Sequence, residues 1–169
     1  CQLQHADFID QLRALLIAHP QVHPSRLELE ILETSALHDM AQVSQVIEAC
    51  ERMGVTFALD DFGTGYSSLT YLKLLRVTLL KIDQSFVRDM LEDADDLAIL
   101  QGVIGLASAF RRSVIAEGVE TVAHGTLLLQ LGCDLAQGYG ISRPMPAEAM
   151  QAWATAWQPD AAWARPMEV

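Results

Sequence analysis

Five short apolar runs, each ending in a polar residue and each followed by a longer segment with helical spacing, constrain this chain most. The runs are Leu27–Leu32, Thr56–Leu59, Leu79–Ile82, Val114–Ala116 and Leu135–Gln137. They are too apolar for strands with one wet face and suit strands covered on both sides. Around them, Ala6–Ala18, Met40–Met53, Leu97–Phe110, Val122–Leu131 and Ala147–Trp157 repeat apolar residues at i, i+3 and i+4, the stripe of an amphipathic helix. Gly54 and Gly132 follow two of these segments, where a helix ends in a left-handed residue. Strands alternating with helices imply right-handed crossovers and a parallel sheet. The fold class is α/β.

The polar ends narrow the architecture. Glu30 with Glu33, Asp60 with Asp61, Lys81 with Asp83, Glu117 with Glu120, and Gln137 close the runs in turn. An open doubly wound sheet binds ligands mainly at one switch point, whereas a barrel gathers polar groups at the C-terminal end of every strand. The expectation is therefore a (β/α)8 TIM-like barrel. Such barrels typically need ~250 residues and this chain has 169, so it reads as the C-terminal two-thirds of one, with about five parallel strands. Without a Gly/Ser linker, residues 1–157 read as one domain, followed by a tail over residues 158–169 with Pro159 and Pro166.

Composition then bounds the function. Apolar residues make up 51% and charged ones 20%, the balance of a globular chain. Acids outnumber bases 22 to 11, for a net charge of -11, which repels phosphate backbones and argues against DNA or RNA as a partner. One phosphate ligand remains possible where a bound cation reverses the local sign. Cys1, Cys50 and Cys133 are odd in number and widely spaced, and read as reduced thiols in a cytoplasmic domain. No apolar run approaches the ~18 residues of a span, and no signal peptide opens the chain. This segment is expected to make no membrane contact, and any anchor of the parent protein would lie elsewhere.

Glu30, Asp60, Asp61 and Glu117 converge on one mouth if the sheet is parallel. Like charges that close cannot all ionise without a cation between them. Solvated loop carboxylates are the bland alternative, but four acids at successive strand ends favour a cation site. The donors are all oxygens, with neither cysteine nor histidine at a strand end, which selects Mg2+ or Mn2+ over Zn2+. Asp60-Asp61-Phe62-Gly63-Thr64-Gly65-Tyr66-Ser67-Ser68-Leu69 is the most specific stretch: paired carboxylates, then a glycine-shaped loop into a helix near Ser67. Adjacent aspartates suit a ligand bridging two ions, an arrangement that stabilises attacking and leaving oxygens in phosphoryl displacement. Lys81, in an otherwise apolar run, is either a snorkelling surface residue or an inward group that orients or deprotonates a nucleophile and offsets phosphate charge. His5, His19, His23, His38 and His124 avoid strand ends and read as surface or packing residues, and Trp153 with Trp157 as a packing stripe.

Leu27-Glu28-Leu29-Glu30-Ile31-Leu32-Glu33, the Asp60–Leu69 stretch, Leu80-Lys81-Ile82-Asp83 with Ser85-Phe86-Val87, Ala116-Glu117-Gly118-Val119-Glu120, and Gly132-Cys133-Asp134 with Gln137-Gly138-Tyr139 together resemble the EAL domain, in order and spacing. The resemblance implies a barrel phosphodiesterase that cuts cyclic di-GMP to linear pGpG with Mg2+ or Mn2+, two ions in all. It implies metal ligation by Glu30, Asp60, Asp61 and Glu117, with Asp60 bridging. Lys81 would work with the nucleophilic water, Glu33 would anchor the Asp61–Ser67 loop, and Gln137 would complete the catalytic set. Glu120 and Asp83 would lie in the substrate or supporting shell. The Glu-Ala-Leu motif, a ligand asparagine and a phosphate-gripping arginine would all precede Cys1 in the family's order. Thr78 and Arg76 depart from its usual aspartate and proline, away from the metal set.

Two functional readings follow: a metal-dependent phosphodiesterase, or a non-catalytic module that binds cyclic di-GMP or dimerises. A glycosidase would also use paired carboxylates, yet it needs no metal and leaves four clustered acids unexplained. Open sheet edges and the resemblance imply a homodimer built near the helix after Ser67. A chain lacking the Glu-Ala-Leu strand is expected to turn over more slowly than one extended through it.

Overall fold

Neighbours in sequence are neighbours in space throughout the sheet. The computed structural model describes residues 3, 5, 7–38, 40–64 and 69–164. Its strands β1 (Glu28–Leu32), β2 (Thr56–Phe62), β3 (Leu79–Ile82), β4 (Ser113–Glu117) and β5 (Leu135–Gln137) form one sheet in the order β1-β2-β3-β4-β5. Every pair is parallel. A doubly wound sheet would reverse its order at a switch point; steady progression in one direction is the winding of a barrel.

Helices α1 (Phe8–Ala18), α2 (Glu33–His38), α3 (Met40–Glu51), α4 (Leu69–Leu74), α5 (Gln84–Asp89), α6 (Ala94–Ala109), α7 (Val122–Gln130) and α8 (Ala147–Ala156) connect and flank the strands. The core lies between sheet and helices. Ile31, Phe57, Leu59, Leu80, Ile82 and Ala116 from the strands pack with Val43, Ile47 and Cys50 of α3, Leu100 and Ala107 of α6, and Leu128 of α7, all buried. Each large side chain so buried contributes about 1.5–3 kcal/mol. Cys50 and Cys133 are free, buried thiols, while Cys1 lies outside the described residues.

Several boundaries differ from the sequence expectation for local reasons. Asp93 accepts from the amides of Asp95 and Asp96 at 2.8 and 3.3 Å, so α6 starts three residues before Leu97. Asp83 caps α5 in the same way through the Ser85 amide at 2.9 Å, and α5 has no counterpart among the expected helices. α3 and α7 end as their glycines require: Gly54 and Gly132 hold φ of 89° and 87°, and the residue after each bonds back to Cys50 or Leu128. Beyond α8 a single 3-10 turn, Ala161–Trp163, folds back onto α7. No helix among the described residues is long and apolar enough to cross a membrane.

Candidate active site

The site begins with a distortion of β2. In a regular strand Asp60 and Asp61 would point to opposite faces. Here β2 runs on to the buried Phe62, and its register against β3 slips between Leu59 and Phe62. Asp61 absorbs the slip with φ of 55°, a left-handed conformation that aspartate tolerates better than most residues. Both aspartates thereby reach one mouth. Carboxylate oxygens of Asp60, Asp61 and Glu117 lie within 4.8 Å of one another, a group that could hold a metal ion.

Lys81 projects into this mouth from β3. Its Nζ lies 2.8 Å from Asp60 Oδ1, 2.9 Å from Glu117 Oε1 and 3.0 Å from Glu30 Oε1. Burial opposes the ammonium, but the three carboxylates outweigh it and hold the Lys81 pKa above the ordinary lysine value. Asp61 is shifted too. Burial first, then the charges of Asp60 and Asp83, raise its pKa above the usual carboxylate range, and Lys81 offsets this only in part. Glu30 is attached to the group through Lys81 and stands outside the three-carboxylate cluster, its side chain 51% exposed.

The other expected residues surround this centre. Glu33, buried at the start of α2, accepts from the Gly63 amide at 3.1 Å and so pins the loop that follows β2. Thr64 closes the same turn by donating its hydroxyl to the Asp61 carbonyl at 2.9 Å. The Gly65–Ser68 part of that loop, with the expected helix start near Ser67, lies outside the described residues. Asp83 binds the amide and hydroxyl of Ser85 as the α5 cap and sits close enough to Asp61 to act on its titration. Gln137 pairs with Glu117 across β4 and β5, and with Glu120, Gln84 and Tyr139 the two line a cleft of about 340 Å³.

The sequence reading passed over Gln84 and counted His124 only among surface or packing residues. Gln84 lines the cleft because α5 starts beside it, and the Asp83-Gln84-Ser85 capping sequence was its signal. His124, buried on α7, places Nδ1 3.4 Å from the Glu120 amide. Its spacing from Thr121, the α7 cap, carried that information.

A divalent cation fits the donors present. They are carboxylate oxygens only, the set that hard cations take. Asp60 Oδ1 is closed to solvent and accepts no regular hydrogen bond, with the Lys81 ammonium facing it as an ion pair. Glu30, Asp60 and Glu117 each meet that ammonium through one oxygen, which leaves the second oxygen of each for a cation.

The EAL domain signature matches residues 1–144. The chain belongs to the EAL domain family. It is 42% identical over 151 residues to the bifunctional diguanylate cyclase/cyclic di-GMP phosphodiesterase MucR of Pseudomonas aeruginosa, covering 89% of this chain and 22% of that protein. The MucR phosphodiesterase in complex with cyclic di-GMP superposes with a TM-score of 0.84 at 42% identity, over 88% of this chain and 60% of that one. Klebsiella pneumoniae BlrP1, solved with manganese and cyclic di-GMP, gives a TM-score of 0.77 at 32% identity, over 85% of this chain and 36% of that one. The likeness places the five strands within the barrel of EAL domains. This EAL chain thus spans about a fifth of the length of the curated relatives it matches.

Proposed function

We propose that this EAL domain serves a cytoplasmic phosphodiesterase that hydrolyses cyclic di-GMP to linear pGpG with Mg2+ or Mn2+. The observation that carries the reading is the Lys81 ammonium within 3.0 Å of three strand-end carboxylates, beside a fourth on the bulged strand. Such a mouth is built to handle positive charge, and the relatives named above act on or bind cyclic di-GMP.

Asp60, Asp61, Glu117 and Glu30 would hold two such cations. When bound, they supply Lewis-acid stabilisation of the phosphoryl oxygens. The chain's own groups do the rest. Water attacks phosphorus and gives up a proton, the P–O bond to the ribose 3′ oxygen breaks, and that oxygen takes up a proton as it leaves. In the metal-free site the surrounding carboxylates favour the Lys81 ammonium; with cations bound, Lys81 would orient or deprotonate the attacking water and offset phosphate charge. Glu33 keeps the Asp61 turn in place through Gly63. Gln137 and Glu120, on the wall of the cleft, offer hydrogen bonds to the substrate's edge. Asp83, the α5 cap, neighbours Asp61 and acts on its titration.

A two-fold dimer near the helix after Ser67, which the family resemblance implies, belongs to the proposal. Sedimentation at high concentration tests it, a persistent monomer being the contrary result.

Chromatographic separation of pGpG from cyclic di-GMP tests the activity, run on the parent protein with Mg2+, with Mn2+ and with a chelator. Metal-dependent pGpG formation supports the reading. Tight cyclic di-GMP binding without turnover would favour the non-catalytic module.

A further inference from the structure

We infer that Trp163 is a positioning residue for the site: by docking on the first turns of α7, it fixes the segment from Glu117 to Thr121 and with it Glu120. The inference rests on the proposed reading only in giving Glu120 a place at the substrate's edge.

The C-terminal 3-10 turn is ordered by its own cap before it reaches α7. Asp160 accepts from the Ala162 amide at 2.9 Å, and its carbonyl accepts from the Trp163 amide at 2.9 Å. Trp163 then makes two contacts near the end of α7 that faces the site. Its indole Nε1 donates to the Val122 carbonyl at 2.9 Å. Its ring packs against Gly125, so closely that a Cβ at that position would come within 2.5–2.7 Å of ring atoms. Only a residue without a side chain admits the indole there.

From this grip to the site the chain is short and tied at each step. Thr121 caps α7 through the His124 amide at 3.3 Å. The buried His124 ring offers Nδ1 to the Glu120 amide at 3.4 Å. The Val119 amide donates to the Gln137 carbonyl at 3.0 Å, which locks the same turn against β5. Glu117, three residues before Glu120, already belongs to the metal cluster. A helix held by its first turns therefore sets where Glu120 stands, and small misplacements of a positioned group are costly.

Two variants of the full chain remove the contact by independent routes. Trp163→Ala deletes the indole. Gly125→Ala expels it while placing a better helix former in α7, so general destabilisation is not the expected cause of any effect. Hydrogen–deuterium exchange should accelerate at residues 117–121 by about fivefold or more in both variants, the scale of one lost hydrogen bond, with β1 to β3 unchanged. His124→Leu should do the same, and His124→Asn, which keeps an acceptor near the Nδ1 position, should restore protection. Unchanged exchange at 117–121, or an equal rise throughout the chain, overturns the inference.

The affinity for cyclic di-GMP, read by calorimetry with Ca2+, should fall about fivefold in Trp163→Ala. It should fall no further when Trp163→Ala is added to Glu120→Gln, because the residue acts through Glu120. Additive losses would overturn the role. Wild-type protein that binds no cyclic di-GMP would refute the proposed function instead, and the exchange comparison would still decide the inference.

Discussion

Replacing Lys81 by Met keeps the apolar stem and deletes the charge that three carboxylates share. The Lys81 side chain is 9% exposed, and Asp60 and Glu117 are 19% and 18% exposed. Removing one partner from a buried ion pair costs about 3–5 kcal/mol, while a half-exposed partner such as Glu30 adds only ~0–1 kcal/mol. Some solvent reaches both main partners, so the expected loss in the metal-free protein is about 2–4 kcal/mol. Against a usual domain stability of about 5–15 kcal/mol the variant still folds. Urea unfolding in EDTA and in Mn2+ reads the effect, since a cation at the same carboxylates should take over much of the ammonium's work and shrink the loss. The folded Lys81 pKa is raised. Its contribution is therefore complete below the unfolded value near ~10.4 and is lost as pH climbs through the folded value above it. Equal stability of variant and parent in EDTA, or the same loss with and without Mn2+, would refute this reasoning.

Asp61→Asn should raise the melting temperature in EDTA at neutral pH and weaken Mn2+ binding by calorimetry. The raised Asp61 pKa means that ionising it costs the fold stability as pH rises from the usual carboxylate range through the folded value, and asparagine removes that slope. Asp60→Asn should lower metal-dependent pGpG formation by on the order of 100-fold or more in the chromatographic assay, the cost of removing one aimed electrostatic group. Glu33→Ala leaves the Gly63 amide without its carboxylate; it should cost about 1–3 kcal/mol in urea and slow turnover more than it weakens cyclic di-GMP binding. Phe57→Ala, at a fully buried position remote from the mouth, should cost about 3–5 kcal/mol without altering the ratio of Mg2+- to Mn2+-supported rates.

The layered α/β arrangement was legible because it follows from hydrophobic period alone. β3 and β5 match their apolar runs at both ends, and β1 differs only by Leu27. What period could not show was where the strand bends. Asp60 and Asp61 look like residues beyond the end of a strand, since two adjacent charges contradict a buried run. In the fold they belong to β2, made compatible by one register slip and one left-handed residue. α5 and the first turn of α6 are illegible in hydrophobic period for a different reason: their starts depend on the caps Asp83 and Asp93, which carry no apolar stripe.

For the site, strand-end polarity correctly brought Lys81 to Glu30, Asp60 and Glu117, because parallel strands in register end together. It gave no sign that Lys81 would sit at the centre of those acids, or that Glu30 would stand half exposed. Those are matters of side-chain length and packing. The docking of Trp163 on Gly125 was equally hidden, for a glycine in a helix pattern does not announce which ring will lie on it.

Diffraction from crystals grown with Mn2+, read through the anomalous signal of the ion, locates the cation relative to Lys81 and its carboxylates. Manganese is expected at the C-terminal mouth of the sheet, ligated by oxygens of Asp60, Asp61 and Glu117, with Glu30 completing the set, at about 2.0–2.3 Å, the range for small hard cations. Lys81 should remain beside the ion, bonded to carboxylate oxygens the metal does not use. Manganese bound elsewhere, or Glu30, Asp60 and Glu117 still closed on Lys81 without an ion while the protein converts cyclic di-GMP to pGpG, would contradict the proposed metal site.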